Sequence, residues 1–392
     1  MRILRVFALS FVVVGSTVSQ NLPELAREAL AFSRSQALET LRSLADSIAY
    51  PRSTGPDGRW ICTKPSSWTS GFFPGLLWQL GSHFNDPELL KGANALTDGL
   101  SSQQWNTGTH DVGFVLMSSF GHRYRLQGSP GDRLVLLQGA ASLASRYRAS
   151  VGCTKSWDWS KEWQFPVIID NLMNLELLFW ASRNGPSGRF RDIAATHAAT
   201  TVTNHLRPDG STFHVVNYDT LTGQVISRVT HQGASDTSTW ARGQAWAIYG
   251  FSMIYRETRD AHFFDAAQKA AEYYLARLPS DAIPFWDFQA PGIPNAHRDA
   301  SAAAIGCSGL FELSELAGES GPRYRQAAER TLLALCQRPY IASGSPSSGI
   351  LLHAIGNMPA AQEVDVSLVY ADYYFVESIL RYVRLHDNDS IK

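Results

Sequence analysis

"VIIDNLMNLELLFWAS", residues 167–182, is a helical run that is apolar on nearly every side and carries one aspartate, Asp170, near its start. A helix apolar all round belongs in a protein interior, because it has no polar face to give to water. Runs of the same small, aromatic and apolar kind recur at 69–81, 111–127, 240–257, 299–317 and 365–385. Between them lie runs with Ala or Leu on one side and Arg, Gln, Glu or Lys on the other, at 23–48, 86–103, 132–149, 188–206, 261–278 and 321–338. Such one-faced helices pack their apolar stripe inward and leave the polar stripe in solvent. Strict alternation of the two kinds predicts a closed ring of helical hairpins, an all-α (α/α)6 barrel. Strand signals are sparse, and only 211–219 and 223–231 read as a β-hairpin, inserted ahead of the fourth inner helix.

In such a ring all inner helices run the same way, so their N-termini share one mouth. Asp111, Asp170, Asp299 and Asp365 each open an inner run and are expected at that mouth. An Asp at a helix start has two readings. It is a common N-cap, accepting hydrogen bonds from the first free backbone N–H groups. It is equally a carboxylate at the rim of a pocket. Both readings stand on the sequence.

Composition narrows the partners. The chain has 392 residues, 44% of them hydrophobic, with 11 Trp and a formal net charge of −1. No run of one sign recommends nucleic acid or an anionic membrane as partner. The first twenty residues, with Arg2 and Arg5 ahead of an apolar segment and then small residues, read as a secretory signal peptide. The expectation is therefore a secreted, extracellular protein whose residues 21–392 form a single barrel domain, with no linker or composition shift dividing them. No later stretch reaches the roughly 18 apolar residues of a membrane span. Cys62, Cys153, Cys307 and Cys336 form no CxxC pair. Export would permit up to two disulfides, although Cys307 sits in an apolar helical run.

Several blocks carry a resemblance: "WTSGFFPG" (68–75), "HDVGF" (110–114), "DNLMNLELLFWA" (170–181), "HQGASDTSTWARGQAWAIYGF" (231–251), "SAAAIGCSGLFEL" (301–313) and "DVSLVYADYYFVESILR" (365–381). Together they resemble the unsaturated glucuronyl hydrolases, glycoside hydrolase family 88, over nearly the whole mature chain. The resemblance implies an enzyme acting after polysaccharide lyases, which leave a C4=C5 double bond on a terminal uronic acid. It would remove that sugar by hydration, so its partners would be oligosaccharides ending in an unsaturated uronic acid. It implies no cofactor and no metal. It places the general acid/base on Asp170 and its partner carboxylate on Asp111. Substrate contacts fall on His110, His214, Gln232, Trp240, Arg242 and Trp246, with Trp68 as a further wall. The unsaturated rhamnogalacturonyl hydrolases, which share barrel and reaction, are the alternative enzyme; an inactive barrel that only binds sugar is the non-enzymatic one.

Each of these residues has a plainer reading beside the functional one. Trp68, Trp240 and Trp246 serve a core as readily as a sugar platform. His110 and His214 can be satisfied core histidines. Arg242 can hold a uronate carboxylate bidentately, or form a structural salt bridge. If it binds the uronate, Arg242→Ala should weaken binding more than it weakens the fold.

Overall fold

A computed structural model describes residues 18–44 and 48–389. The expected signal segment lies outside the described residues except for its last three positions, where the first helix begins. The outer helices are α1 (Val18–Ser43), α3 (Pro87–Asp98), α6 (Pro130–Ala144), α8 (Arg189–His205), α10 (Ala261–Leu275) and α12 (Gly321–Leu335). The inner ones are α2 (Phe72–Phe84), α7 (Asn171–Asn184), α9 (Ala241–Thr258), α11 (Ala300–Leu316) and α13 (Val369–Asp389). The sixth inner position is held by α4 (Val112–Leu116) and α5 (His122–Gln127), joined by a π-helical turn at Met117–Gly121. Inner neighbours touch in the order α2, α4 with its π turn, α7, α9, α11, α13 and back to α2, so the ring is closed. The (α/α)6 barrel read from periodicity is the architecture found.

Burial explains the two helix types. Every residue of α9 from Ala241 to Ile254 is buried, and every residue of α11 from Ala300 to Leu313. On α10 only the stripe with Phe263, Ala266, Ala267, Ala270, Ala271, Tyr273 and Tyr274 is buried. Inner helices also approach closely: a Cβ on Gly309 of α11 would stand 2.9 Å from the Tyr249 backbone of α9. Only glycine permits that contact.

Among the described residues nine short strands decorate the barrel where one hairpin was expected. Antiparallel pairs form between β1 (Tyr50–Thr54) and β2 (Trp60–Thr63), between β3 (Tyr147–Arg148) and β4 (Cys153–Thr154), and between β8 (Ala354–Asn357) and β9 (Gln362–Val366). The expected hairpin is present as β6 (Val215–Tyr218) and β7 (Val225–Val229), and it gains a third strand, β5 (Pro166–Ile168). All of them lie on connections from an outer helix to the next inner one. Most are too short for a period of two to show in the sequence.

One of the four aspartates is corrected by this. Asp365 does not open α13; it lies in β9 with φ of 57°, is 42% exposed, and pairs with His353 at 2.6 Å. In its place Asp372, within the first turn of α13, accepts the backbone N–H groups of Ile350 and Leu351. All four cysteines are free thiols, with Cys307 buried as its apolar setting suggested.

Candidate active site

The cap question has a split answer. Asp299 caps α11 through Ser301 N–H at 2.9 Å. Asp111 and Asp170 stand at the N-cap positions of α4 and α7, yet neither side chain makes a capping hydrogen bond. Their carboxyls turn into the mouth instead.

Local structure puts a histidine beside each. The β5–β6 pairing continues through Ile169 N–H to His214 C=O at 3.0 Å, which seats His214 Nε2 4.0 Å from Asp170 Oδ2. His214 Nδ1 accepts the backbone N–H groups of His231 and Gln232, so the neutral ring carries its proton on Nε2. His110, wholly buried, places Nε2 3.2 Å from Asp111 Oδ1, and the Thr109 hydroxyl donates to Asp111 Oδ2 at 2.7 Å.

Burial dominates the electrostatics. It pushes Asp170 up to about 7; the Arg242 charge opposes this and the Asp111 charge adds to it. Asp111 is pushed up to about 6, again by burial, against the Thr109 hydrogen bond and the Arg146 charge. Burial also holds His110 and His214 well below the ordinary histidine value, so both are neutral at neutral pH. The helix N-terminus favours a carboxylate by only ~0.3–1 kcal/mol, which is less than desolvation takes away.

Unpartnered polar atoms converge here. Asp170 Oδ2, His110 Nε2, His214 Nε2, Trp246 Nε1 and Arg242 Nε are all buried without a hydrogen bond inside the chain. Each such atom costs ~1–3 kcal/mol in a folded interior. Concentrated at one mouth, they mark a place built to meet a polar ligand.

The other expected contacts divide. Trp68 is partly exposed and lines a cleft of about 810 Å³ together with Asp111, Thr109, Arg52, Lys64, Trp157 and Trp159. Gln232 is pinned by its amide to Gly356 C=O at 2.9 Å. Trp240 and Trp246 are buried. The Trp240 ring meets the His214 ring at 4.4 Å and the Arg242 guanidinium at 4.4 Å, and Trp246 is fully buried with its indole N–H near Asp170.

Arg242 is engaged inside the chain. Its guanidinium is 1% exposed and donates to Asp299 at 3.3 Å, to Ser301, and to the carbonyls of Ile355 and Gly356. It takes part in a buried salt bridge, its Nε stays without a partner inside the chain, and its charge lowers Asp170. Trp157 and Trp159 were not singled out as contacts, although the loop that carries them feeds the mouth. The rings of Trp157 and His231 stand 5.4 Å apart. Asn174 was missed too; its spacing of four from Asp170, one helical turn, was the available signal. Among the described residues no group of three or more His, Cys, Asp or Glu side chains is placed to hold a metal ion.

A helical-hairpin ring with two buried carboxyls beside tryptophans at its mouth is the framework of a carbohydrate-active (α/α)6-barrel enzyme. No protein-family model matches the chain. Curated relatives do: an unsaturated glucuronyl hydrolase of Formosa agariphila is 42% identical over 340 residues, 85% of this chain and 84% of that protein. An unsaturated chondroitin disaccharide hydrolase of Streptococcus pyogenes is 30% identical over 344 residues, 86% of each. Among solved structures, an unsaturated glucuronyl hydrolase specific for heparin superposes with a TM-score of 0.87 at 41% identity, covering 92% of this chain and 98% of that one. A Streptococcus agalactiae unsaturated glucuronyl hydrolase variant complexed with dGlcA-GalNAc6S gives 0.77 at 27% identity, covering 91% of both. The chain belongs to the unsaturated glucuronyl hydrolases and is a glycosidase.

Proposed function

We propose that the enzyme removes a 4,5-unsaturated uronic acid from the non-reducing end of lyase-generated oligosaccharides by acid-catalysed hydration of the enol ether. The observation that carries this reading is Asp170, a buried carboxyl that caps nothing and is pushed up to about 7. Its proton goes to C4, leaving positive charge shared by C5 and the ring oxygen. The Asp170 carboxylate then takes a proton from water as the water oxygen bonds to C5. The resulting hemiketal opens, and the rearranged sugar releases the aglycone. One residue serves as acid and then base, so no covalent nucleophile is needed, unlike retaining glycosidases with paired carboxyls at the anomeric carbon. Asp111, the more acidic of the pair, stays ionised and engages ring hydroxyls.

The relatives' substrates, heparin and chondroitin disaccharides, set the panel. Loss of enoate absorbance on at least one lyase-generated disaccharide is expected, and no loss on any of them would end the proposal. The protein is also read as exported, from the pattern of residues 1–20. Material for the assay should then be recoverable from culture medium with its N-terminus beginning near Asn21; retention inside the cell with Met1 intact would contradict export.

The pH profile follows from the pair. kcat/KM should fall above about 7, as Asp170 loses its proton, and below about 6, as Asp111 gains one. These limbs belong to the coupled pair. Asp111→Asn removes the like charge, so the upper limb should move to lower pH while turnover drops. An upper limb that stays put would disconnect the two carboxyls.

A further inference from the structure

The Asn174 amide on α7 has one orientation only. Its Oδ1 accepts the Phe114 backbone N–H at 2.7 Å, and its Nδ2 faces Asp170 C=O at 3.4 Å. A backbone N–H only donates and a carbonyl only accepts, so the two ends cannot be exchanged. Nδ2 is therefore the atom 3.2 Å from His110 Nδ1, and it must donate to it. The reach depends on Gly113, where a Cβ would stand 2.6 Å from Asn174 Oδ1. His110 Nδ1 is thus a lone pair. The proton of this neutral, buried ring sits on Nε2, facing Asp111 Oδ1 at 3.2 Å and the nearby Asn171 side chain.

We infer that Asn174 is a positioning residue, which holds His110 in the Nε2–H tautomer so that the ring presents that N–H at the mouth, beside Asp111 and free for a bound ligand. His214 is set in the same tautomer by the N–H groups of His231 and Gln232 and faces Asp170. Each carboxyl of the pair thereby looks at the Nε2–H of a histidine whose other nitrogen is held from outside the mouth. The catalytic consequence rests on the proposed roles of Asp111 and Asp170; the tautomer itself does not.

Asn174→Asp separates positioning from packing. With the new side chain ionised, at alkaline pH, one carboxylate oxygen can still accept from Phe114 N–H, but the other cannot donate to His110 Nδ1. The ring must then move its proton to Nδ1 or take up a second one. Long-range 1H–15N spectra of 15N-histidine-labelled protein, with His110 assigned through His110→Gln, should show Nε2–H in the wild type and lose that signature in Asn174→Asp. The variant's kcat should fall on the order of 10²-fold, with KM changed less than about threefold, while Asn174→Ala, which leaves the tautomer unset rather than reversed, loses less kcat. A wild-type His110 protonated on Nδ1, an Asn174→Asp ring still in the Nε2–H form, or a changed tautomer with unchanged kcat would each overturn the inference. A wild-type enzyme that hydrates no unsaturated uronide would sink the functional proposal and leave the tautomer result standing.

Discussion

Asp170→Asn should stay folded and hydrate unsaturated uronides about 10²–10⁴-fold more slowly, the usual worth of a general acid. The Asp170 side chain makes no capping bond to α7, so replacing it takes no cap away. Asn keeps the volume and cannot deliver a carboxyl proton. Stability should in fact rise at alkaline pH. The unfolded chain releases this proton near ~3.9, whereas the folded protein holds it to about 7. Between those values the folded state binds more protons, so wild-type stability falls as pH rises through the window. Asn carries no buried charge to desolvate. The variant should therefore match the wild type near pH 4 and melt about 5 °C higher at pH 8, since a proton held from ~3.9 up to about 7 is worth ~4 kcal/mol and a chain of this size loses ~0.8 kcal/mol per degree at its midpoint. Melting curves at the two pH values and enoate hydration test both halves. Near wild-type turnover would remove Asp170 from the chemistry.

Arg242→Ala should be the most destabilising single change at the mouth. It leaves Asp299, fully buried, without its cation, and it strips the donors from the Ile355 and Gly356 carbonyls. Breaking a buried pair from one side costs ~3–5 kcal/mol, a melting-temperature loss of about 4–6 °C for a chain of this size. Trp240, which packs on both the guanidinium and the His214 ring, loses one of these contacts, so His214 should also lose its fixed approach to Asp170. Removing the cation raises Asp170 further, and the upper limb of the pH profile should move to higher pH. A variant that melts like the wild type but binds substrate poorly would restore the uronate-binding role that the sequence suggested for Arg242.

The helix pattern was legible in the chain because solvent exposure writes itself into composition. A run such as 241–254 is buried on every side, so each position must be apolar, small or internally paired. A run such as 261–275 is buried on one side only, and its period shows. Alternation of the two leaves little choice but a ring. Asp365 shows where that reading stops. The run at 365–385 is helical only from Val369, because β9 borrows its first residues to pair with β8. A strand of five residues set against a helix of twenty-one leaves too weak a signal to place the boundary.

By itself the sequence determined which helices face inward, that their N-termini meet at one end, and that Asp111, Asp170 and Asp299 stand there, since these follow from burial and chain direction. What each aspartate does was decided only by tertiary contacts. Asp299 caps its helix and binds Arg242, Asp365 pairs with His353 in a strand, and Asp111 and Asp170 cap nothing. The same holds for the aromatic and basic candidates. Trp68 lines the cleft, while Trp240 is buried against His214 and Arg242. Composition and periodicity report how much of a residue is buried. They do not report against which partner, and a carboxyl's proton affinity or a guanidinium's freedom depends on the partner, on groups brought within a few ångströms from helices far apart in the chain.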